Sequence, residues 1–257
     1  MNETYKVQVQ DLVDDLKAVF THAGLGGEAG EYKLLTQSFL YKFLNDKFLY
    51  QAKVLDESNT YVNLLAMGED DYDWLLEDIG TSTAWLKPDQ LIETLHRQQN
   101  EATFYESFEN TLNQIAIDNN DIFSVHTDGD TAIRLFDERL ITDTISDSSK
   151  RNEVAKAIIN LLARVKFDET IFSQGFDFFS TLFEYMIKDY NKDGGGKYAE
   201  YYTPHSVAKI IADILVGNDQ PSNVRIYDPS AGSGTLLMNL ASRIGVDKTT
   251  VYSQDIS

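Results

Sequence analysis

Asp228-Pro229-Ser230-Ala231-Gly232-Ser233-Gly234-Thr235 is the most informative stretch of this 257-residue chain. A short β-branched segment, Val224 to Tyr227, precedes it, and an apolar-periodic stretch follows with Leu236, Leu237, Leu240, Ala241 and Ile244. That order predicts a buried strand, a glycine turn and a helix. Glycine has no Cβ and tolerates positive φ, so such a turn lets backbone approach a ligand closely. The helix behind it points N–H groups without intrahelical partners at the same place. A small ligand with an anionic group is expected there.

Residue types separate three chemistries that use this arrangement. A phosphate-cradling P-loop needs Lys then Ser or Thr after its last glycine; here Thr235 and Leu236 follow Gly234, which argues against ATP or GTP in that mode. The dinucleotide fingerprint needs a small third residue for close helix–strand packing, and that position is Leu237. S-adenosylmethionine is the third option. Its carboxylate suits the helix N-terminus, and a carboxylate at the strand end, Asp228, meets its ammonium. An acid at the tip of the next strand accepts hydrogen bonds from the ribose hydroxyls. Asp255 ends Thr250-Val251-Tyr252-Ser253-Gln254-Asp255, 21 residues beyond Gly234, close to the usual interval of about twenty.

Upstream lies Tyr198-Ala199-Glu200-Tyr201-Tyr202-Thr203-Pro204-His205. Thr203 is a favoured N-cap and Pro204 a favoured first helical residue, so a helix is predicted to start here. Its apolar residues Val207, Ile210, Ile211, Ile214 and Leu215 are the expected buried set, with Gly217 as stop signal and Pro221 preventing continuation. Tyr201 and Tyr202 sit where an aromatic could cover a ligand or simply pack. Before this block, Asn191 to Gly196 ends in three glycines and predicts a loop or hinge.

The first 165 residues read as helical. Leu35, Phe39, Phe43, Leu44 and Phe48 make one stripe, and Val154, Ile158, Leu161, Leu162 and Val165 another. A further helix is predicted over Phe178 to Tyr190. Asp70, Asp71 and Asp73 around Tyr72 predict a loop or solvated helix start, and Asp128-Gly129-Asp130 a turn. Trp74 and Trp85 are expected as core or interface anchors.

Composition narrows the classes. Apolar residues make up 42 % of the chain, enough for real cores. Net charge is −19, with 41 acidic against 22 basic residues, so a stand-alone nucleic-acid binder is not expected, because phosphate neutralisation needs clustered Lys and Arg. Work on DNA would require a basic partner or a further segment. The chain has no cysteine, which excludes disulfides and thiolate zinc sites. His22, His96, His126 and His205 lack metal-ligand spacing, so no metal site is expected. Ser206 and Ser233 lack a nucleophile elbow. Met1 to Asp15 is polar and acidic, unlike a signal peptide, and the longest apolar stretch, Val207 to Val216, is too short to span a bilayer. A cytoplasmic setting with no membrane is the default.

Glu200-Tyr201-Tyr202-Thr203-Pro204 followed by Asp228-Pro229-Ser230-Ala231-Gly232-Ser233-Gly234 resembles the N6-adenine DNA methyltransferases, and most closely the modification subunit of type I restriction–modification systems. The resemblance implies a mostly α N-terminal domain, residues 1–165, followed by the start of an α/β Rossmann-like class I methyltransferase domain, residues 166–257, that stops after its second strand. It implies S-adenosylmethionine as cofactor. Glu200, Tyr201, Tyr202, Thr203, Pro204 and His205 would form one wall of the pocket; Asp228, Gly232, Ser233, Gly234 and Thr235 would cradle the methionine end; and Asp255 would bind ribose. The implied partners are DNA, engaged through the complex, a specificity subunit, a restriction nuclease subunit and a second copy of the modification subunit.

One departure stands out. The family's Asn-Pro-Pro-aromatic motif, which holds the target adenine, is absent, and the only Asn after the glycine turn is Asn239, inside the following helix. No catalytic residue is therefore assigned. The chain alone is expected to lack methyltransferase activity and to bind S-adenosylmethionine weakly or not at all. Its strands are expected to expose apolar surface, since two strands and two helices cannot cover a parallel sheet. The rival readings are a helical protein-interaction module with a vestigial cofactor fold and a small-molecule or protein methyltransferase.

Overall fold

The computed structural model describes residues 3–26, 29–123, 125–126, 132–167, 169–173 and 203–255. The predicted helix at Phe178 to Tyr190, the glycine run ending at Gly196, the Asp128-Gly129-Asp130 turn and Glu200, Tyr201 and Tyr202 lie outside these residues. The chain divides into two compact units, Met1–Ser173 and Gln174–Ser257.

The first unit is helical. In order it holds α1 (Glu3–Ala23), α2 (Ala29–Leu55), α3 (Tyr61–Ala66), α4 (Glu69–Ile79), α5 (Ile92–Gln98), α6 (Phe104–Asp118), α7 (Asn120–Phe123), β1 (Val125–His126), β2 (Ala132–Ile133), α8 (Leu140–Thr144), α9 (Arg151–Arg164) and α10 (Glu169–Ser173). Strands β1 and β2 pair antiparallel; with two residues each they are too short to show a period of two in the sequence. The α9 stripe buries Val154, Ile158, Leu161 and Leu162 and packs against α1, α5 and α6. Helix α4 begins at Gly68 with Glu69, Asp70 and Asp71 in its first turn, where the positive end of the helix dipole favours them. Trp74, expected as an anchor, is exposed.

Helix α2 packs against α1, α4, α8 and α9. Leu35, Phe39, Leu44 and Phe48 are buried as the stripe predicts, and Phe43 is half-buried with its ring 5.9 Å from that of Phe172. The helix also buries polar residues. Lys42 Nζ lies 2.8 Å from Asp46 Oδ2, Asn45 Nδ2 donates to Asp46 Oδ1, and the Phe167 amide donates to Asp46 Oδ2 at 2.7 Å. Asn45 Oδ1 accepts the Ile92 amide at 2.9 Å. These groups satisfy backbone that would otherwise be buried without partners. Tyr50 stacks on Phe172, so Phe167 and Phe172 pack onto α2. Burial pushes the Tyr41 and Tyr72 hydroxyls up, so both stay protonated donors, to the Gln90 and Leu86 carbonyls.

The second unit contains α11 (His205–Val216), β3 (Val224–Asp228), α12 (Thr235–Ile244) and β4 (Thr249–Ser253). β3 and β4 are parallel, registered from Val224 opposite Thr249 to Asp228 opposite Ser253. Parallel neighbours need a crossover, and α12 supplies it. Ile226 on β3 packs with Leu237 and Ala241 of α12, with Val224, Leu240 and Ile244 at the margin. The alternate residue Tyr227 and its registered neighbour Tyr252 on β4 are exposed, so apolar surface is exposed on the sheet face they share. Among the described residues no helix is long and apolar enough to cross a membrane.

Two details of α11 correct the sequence expectation. Pro204, at ψ 131°, is itself the N-cap, and its carbonyl accepts from the Val207 and Ala208 amides; Thr203 stands one residue outside, and no side chain caps the helix. The buried residues are His205, Ala208, Ala212 and Val216, while Val207, Ile210, Ile211, Ile214 and Leu215 are exposed. α11 is apolar around most of its circumference, so periodicity cannot select a face. The small side chains win because they allow close approach to α12.

Candidate functional site

The glycine turn is built by local backbone bonds. Gly232 has φ 52° and Gly234 has φ 72°, a left-handed conformation that L side chains resist. The Gly234 amide donates to the Ala231 carbonyl at 2.8 Å, and the Met238 amide donates to the Gly234 carbonyl at 3.0 Å as α12 begins. The first amides of α12 thus precede its regular hydrogen bonds and point out of its N-terminus. Among the described residues, a Cβ placed on Gly234 would meet nothing within 4 Å.

Strand β4 delivers the acid to this turn. Past Ser253 the chain stays laced to β3: the Gln254 amide donates to the Asp228 carbonyl at 3.0 Å, and the Ala231 amide donates to the Gln254 carbonyl at 2.9 Å. Tyr227 Oη donates to Gln254 Oε1 at 2.8 Å. The next residue, Asp255, is thereby turned toward the glycines, and its Oδ2 accepts the Gly232 amide at 2.7 Å. Asp228 Oδ1 accepts the Ser230 amide at 2.9 Å, which fixes the carboxylate at the tip of β3. The Ser233 and Thr235 hydroxyls share a hydrogen bond of 2.8 Å.

The Thr203-Pro204-His205 segment joins the turn through α12. Asn239 Nδ2 donates to the Thr235 carbonyl at 2.7 Å and lies 3.1 Å from His205 Nδ1. Both side chains are buried, so His205 is not the surface or cap histidine its isolation in sequence suggests. At the far end of the seam, Arg243 donates from Nε to Asp213 Oδ1 and from Nη2 to the Gly217 carbonyl. Asp228, Gly232, Ser233, Gly234, Thr235 and Asp255 thus meet around one turn, and His205, which follows Thr203 and Pro204, reaches it through Asn239. Sequence reasoning missed Asn239 as part of this assembly; the available signal was an amide inside the apolar run from Leu236 to Ala241.

Chemically, the arrangement fits a small molecule that carries a carboxylate and vicinal hydroxyls. Helix-terminal amides suit the former, and a carboxylate, which accepts hydrogen bonds, suits the latter. Among the described residues no cluster of His, Asp or Glu could hold a metal ion.

Residues 174–256 match the family model described as N-6 DNA Methylase. The chain is 24 % identical to the type I restriction enzyme MpnII methylase subunit of Mycoplasma pneumoniae, over 97 % of its own length and 47 % of that protein. It is 25 % identical to the type I restriction enzyme MjaIX methylase subunit of Methanocaldococcus jannaschii, over 49 % of the chain and 24 % of that protein. In fold it is similar to the type I restriction-modification system methyltransferase subunit from Streptococcus thermophilus, with a TM-score of 0.64 at 20 % identity, covering 97 % of this chain and 53 % of that one. The chain therefore spans about half the length of the relatives it matches most fully. Along most of its length the chain is thus similar to type I restriction enzyme methylase subunits, and its residues 174–256 match the N-6 DNA Methylase family model.

Proposed function

We propose that this chain is part of the modification subunit of a type I restriction–modification complex, a DNA adenine N6-methyltransferase that uses S-adenosylmethionine. The observation that carries this reading is the 2.7 Å bond between the Gly232 amide and Asp255, because it brings the turn and the distant acid to one small volume. When bound, S-adenosylmethionine supplies an electrophilic methyl group. The amides of Ser233, Thr235 and Leu236 would receive its carboxylate, and Asp228 would face its ammonium. Asp255 would accept hydrogen bonds from the ribose while keeping its bond to Gly232, since a carboxylate offers about four lone-pair sites. Glu200, Tyr201, Tyr202, Thr203, Pro204 and His205 would form the adjoining wall.

In this reading β3, α12 and β4 begin a Rossmann-like class I methyltransferase domain, and the helical unit is the N-terminal domain before it. The chain contains no Asn-Pro-Pro-aromatic run, so no residue within it is assigned to the catalytic step, and we expect it to be inactive by itself. At a net charge of −19 it would engage DNA through basic surfaces of its partners: a specificity subunit, a nuclease subunit and a second modification subunit.

A second reading, a helical interaction module with a vestigial cofactor fold, rests on the missing catalytic run. Calorimetric titration with S-adenosylmethionine separates the two. Weak one-to-one binding that Asp255→Ala abolishes supports the methyltransferase reading, and no binding at millimolar concentration favours the module. Formation of N6-methyladenine by the purified chain would contradict the assignment of the catalytic step elsewhere.

A further inference from the structure

Resting on the cofactor reading above, we propose that Asn239 is a positioning residue that acts through His205 to hold the Thr203-Pro204-His205 segment in register with the glycine turn. The Thr235 carbonyl can only accept, so the 2.7 Å bond from Asn239 fixes which end of its amide is nitrogen. The second N–H of that nitrogen then points to His205 Nδ1 at 3.1 Å. A donor there requires a lone pair on Nδ1, so the imidazole is neutral with its proton on Nε2. One side chain thus ties the last residue of one cofactor segment to the first helical residue of the other.

The remainder of the seam makes this assignment testable. Among the described residues, side-chain hydrogen bonds tie α11 to α12 near both ends: Asn239 at the end that carries Thr203 and Pro204, and Arg243, through Asp213 and the Gly217 carbonyl, at the opposite end. Between them lie Ala208, Ala212 and Ala241, which are buried and apolar. Loss of Asn239 frees only the end next to the turn, whereas loss of Arg243 loosens the helix pair while leaving that end tied.

The test uses the full chain, labelled with ¹⁵N, and the variants Asn239→Ala, Asn239→Asp and Arg243→Ala. At pH 8 the His205 Nδ1 shift should be that of an unprotonated ring nitrogen. Asn239→Asp, which presents an acceptor, should move the proton onto Nδ1. Asn239→Ala should displace the Thr203 and His205 amide resonances and weaken S-adenosylmethionine binding on the order of tenfold. Arg243→Ala should lower the melting temperature with binding unchanged. A protonated Nδ1 in the unaltered chain, or unaltered binding in Asn239→Ala, overturns the proposal. Failure of the unaltered chain to bind sinks the cofactor reading instead, and the His205 nitrogen shift together with the Thr203 amide displacement still decides the positioning role.

Discussion

The carboxylate of Asp255 accepts the amide of Gly232 at 2.7 Å, across 23 residues of chain. Two strand ends and one turn converge there because β4 continues its pairing with β3 through Gln254. The bond gives Asp255 two separable duties, one to the turn and one to a ligand. Asp255→Asn keeps an oxygen that can accept from Gly232 but loses the charge and much of the capacity for ribose hydroxyls. Its stability should stay within about 0.5 kcal/mol of the unaltered chain, as for most surface changes, while S-adenosylmethionine binding falls. Asp255→Ala should lose both. Paired calorimetry and urea melts check this, and equal binding by all three proteins would refute it.

Gly234 lies at φ 72° with open space where a Cβ would go. Gly234→Ala should therefore destabilise through the backbone alone, by about 1–2 kcal/mol, and Gly234→Asn by less. A shift in urea midpoint without a change in slope would report this. A neutral alanine variant would show that the turn does not hold this conformation in solution.

The buried Lys42–Asp46 pair, 3 % and 7 % exposed, anchors residue 167 to α2. Burial holds the Lys42 ammonium below its ordinary pKa, and Asp46 opposes that shift. Asp46→Ala leaves both Lys42 and the Phe167 amide without their partner and should cost about 3–5 kcal/mol. Replacing both, Lys42→Met with Asp46→Leu, should recover only the part due to the unpaired ammonium, because the Phe167 amide and Asn45 Nδ2 still lose their acceptor. Chemical denaturation of the three variants measures it; equal losses in the single and double variants would contradict it.

Asp118 provides a pH signature. Burial raises its carboxyl, but hydrogen bonds from Gln114, Gln90 and Lys87 outweigh burial and hold it below its ordinary value of 3.8. A depressed folded value means the unfolded chain binds more protons, so stability from this group is present above about pH 4 and is lost as pH falls through the lower folded value. Asp118→Asn should flatten the acid limb of the stability curve and leave the region above pH 6 parallel to that of the unaltered chain. An unchanged acid limb would assign that limb to other groups.

The parts legible in the sequence are those with a strong local signal. The α2 and α9 stripes, the β3–turn–α12 succession and the spacing to Asp255 follow from periodicity, glycine chemistry and strand-to-strand distance. Periodicity was silent where more than one face is apolar: α11 buries Ala208 and Ala212 rather than Ile210, Ile214 and Leu215, because its packing is set by the neighbouring helix. Phe167 and Phe172 reach back to α2, a contact across more than a hundred residues that no local pattern records. Asn239 was hidden for the same reason, since its partner His205 lies 34 residues away.

Amide spectra of the full chain titrated with S-adenosylmethionine test the central claim most directly, because they report even weak binding residue by residue. The account predicts shifts concentrated at Gly232, Ser233, Thr235, Leu236 and Asp255, saturating with a single site and absent in Asp255→Ala. Spectra that stay unchanged at millimolar ligand, or shifts confined to other residues, would contradict it.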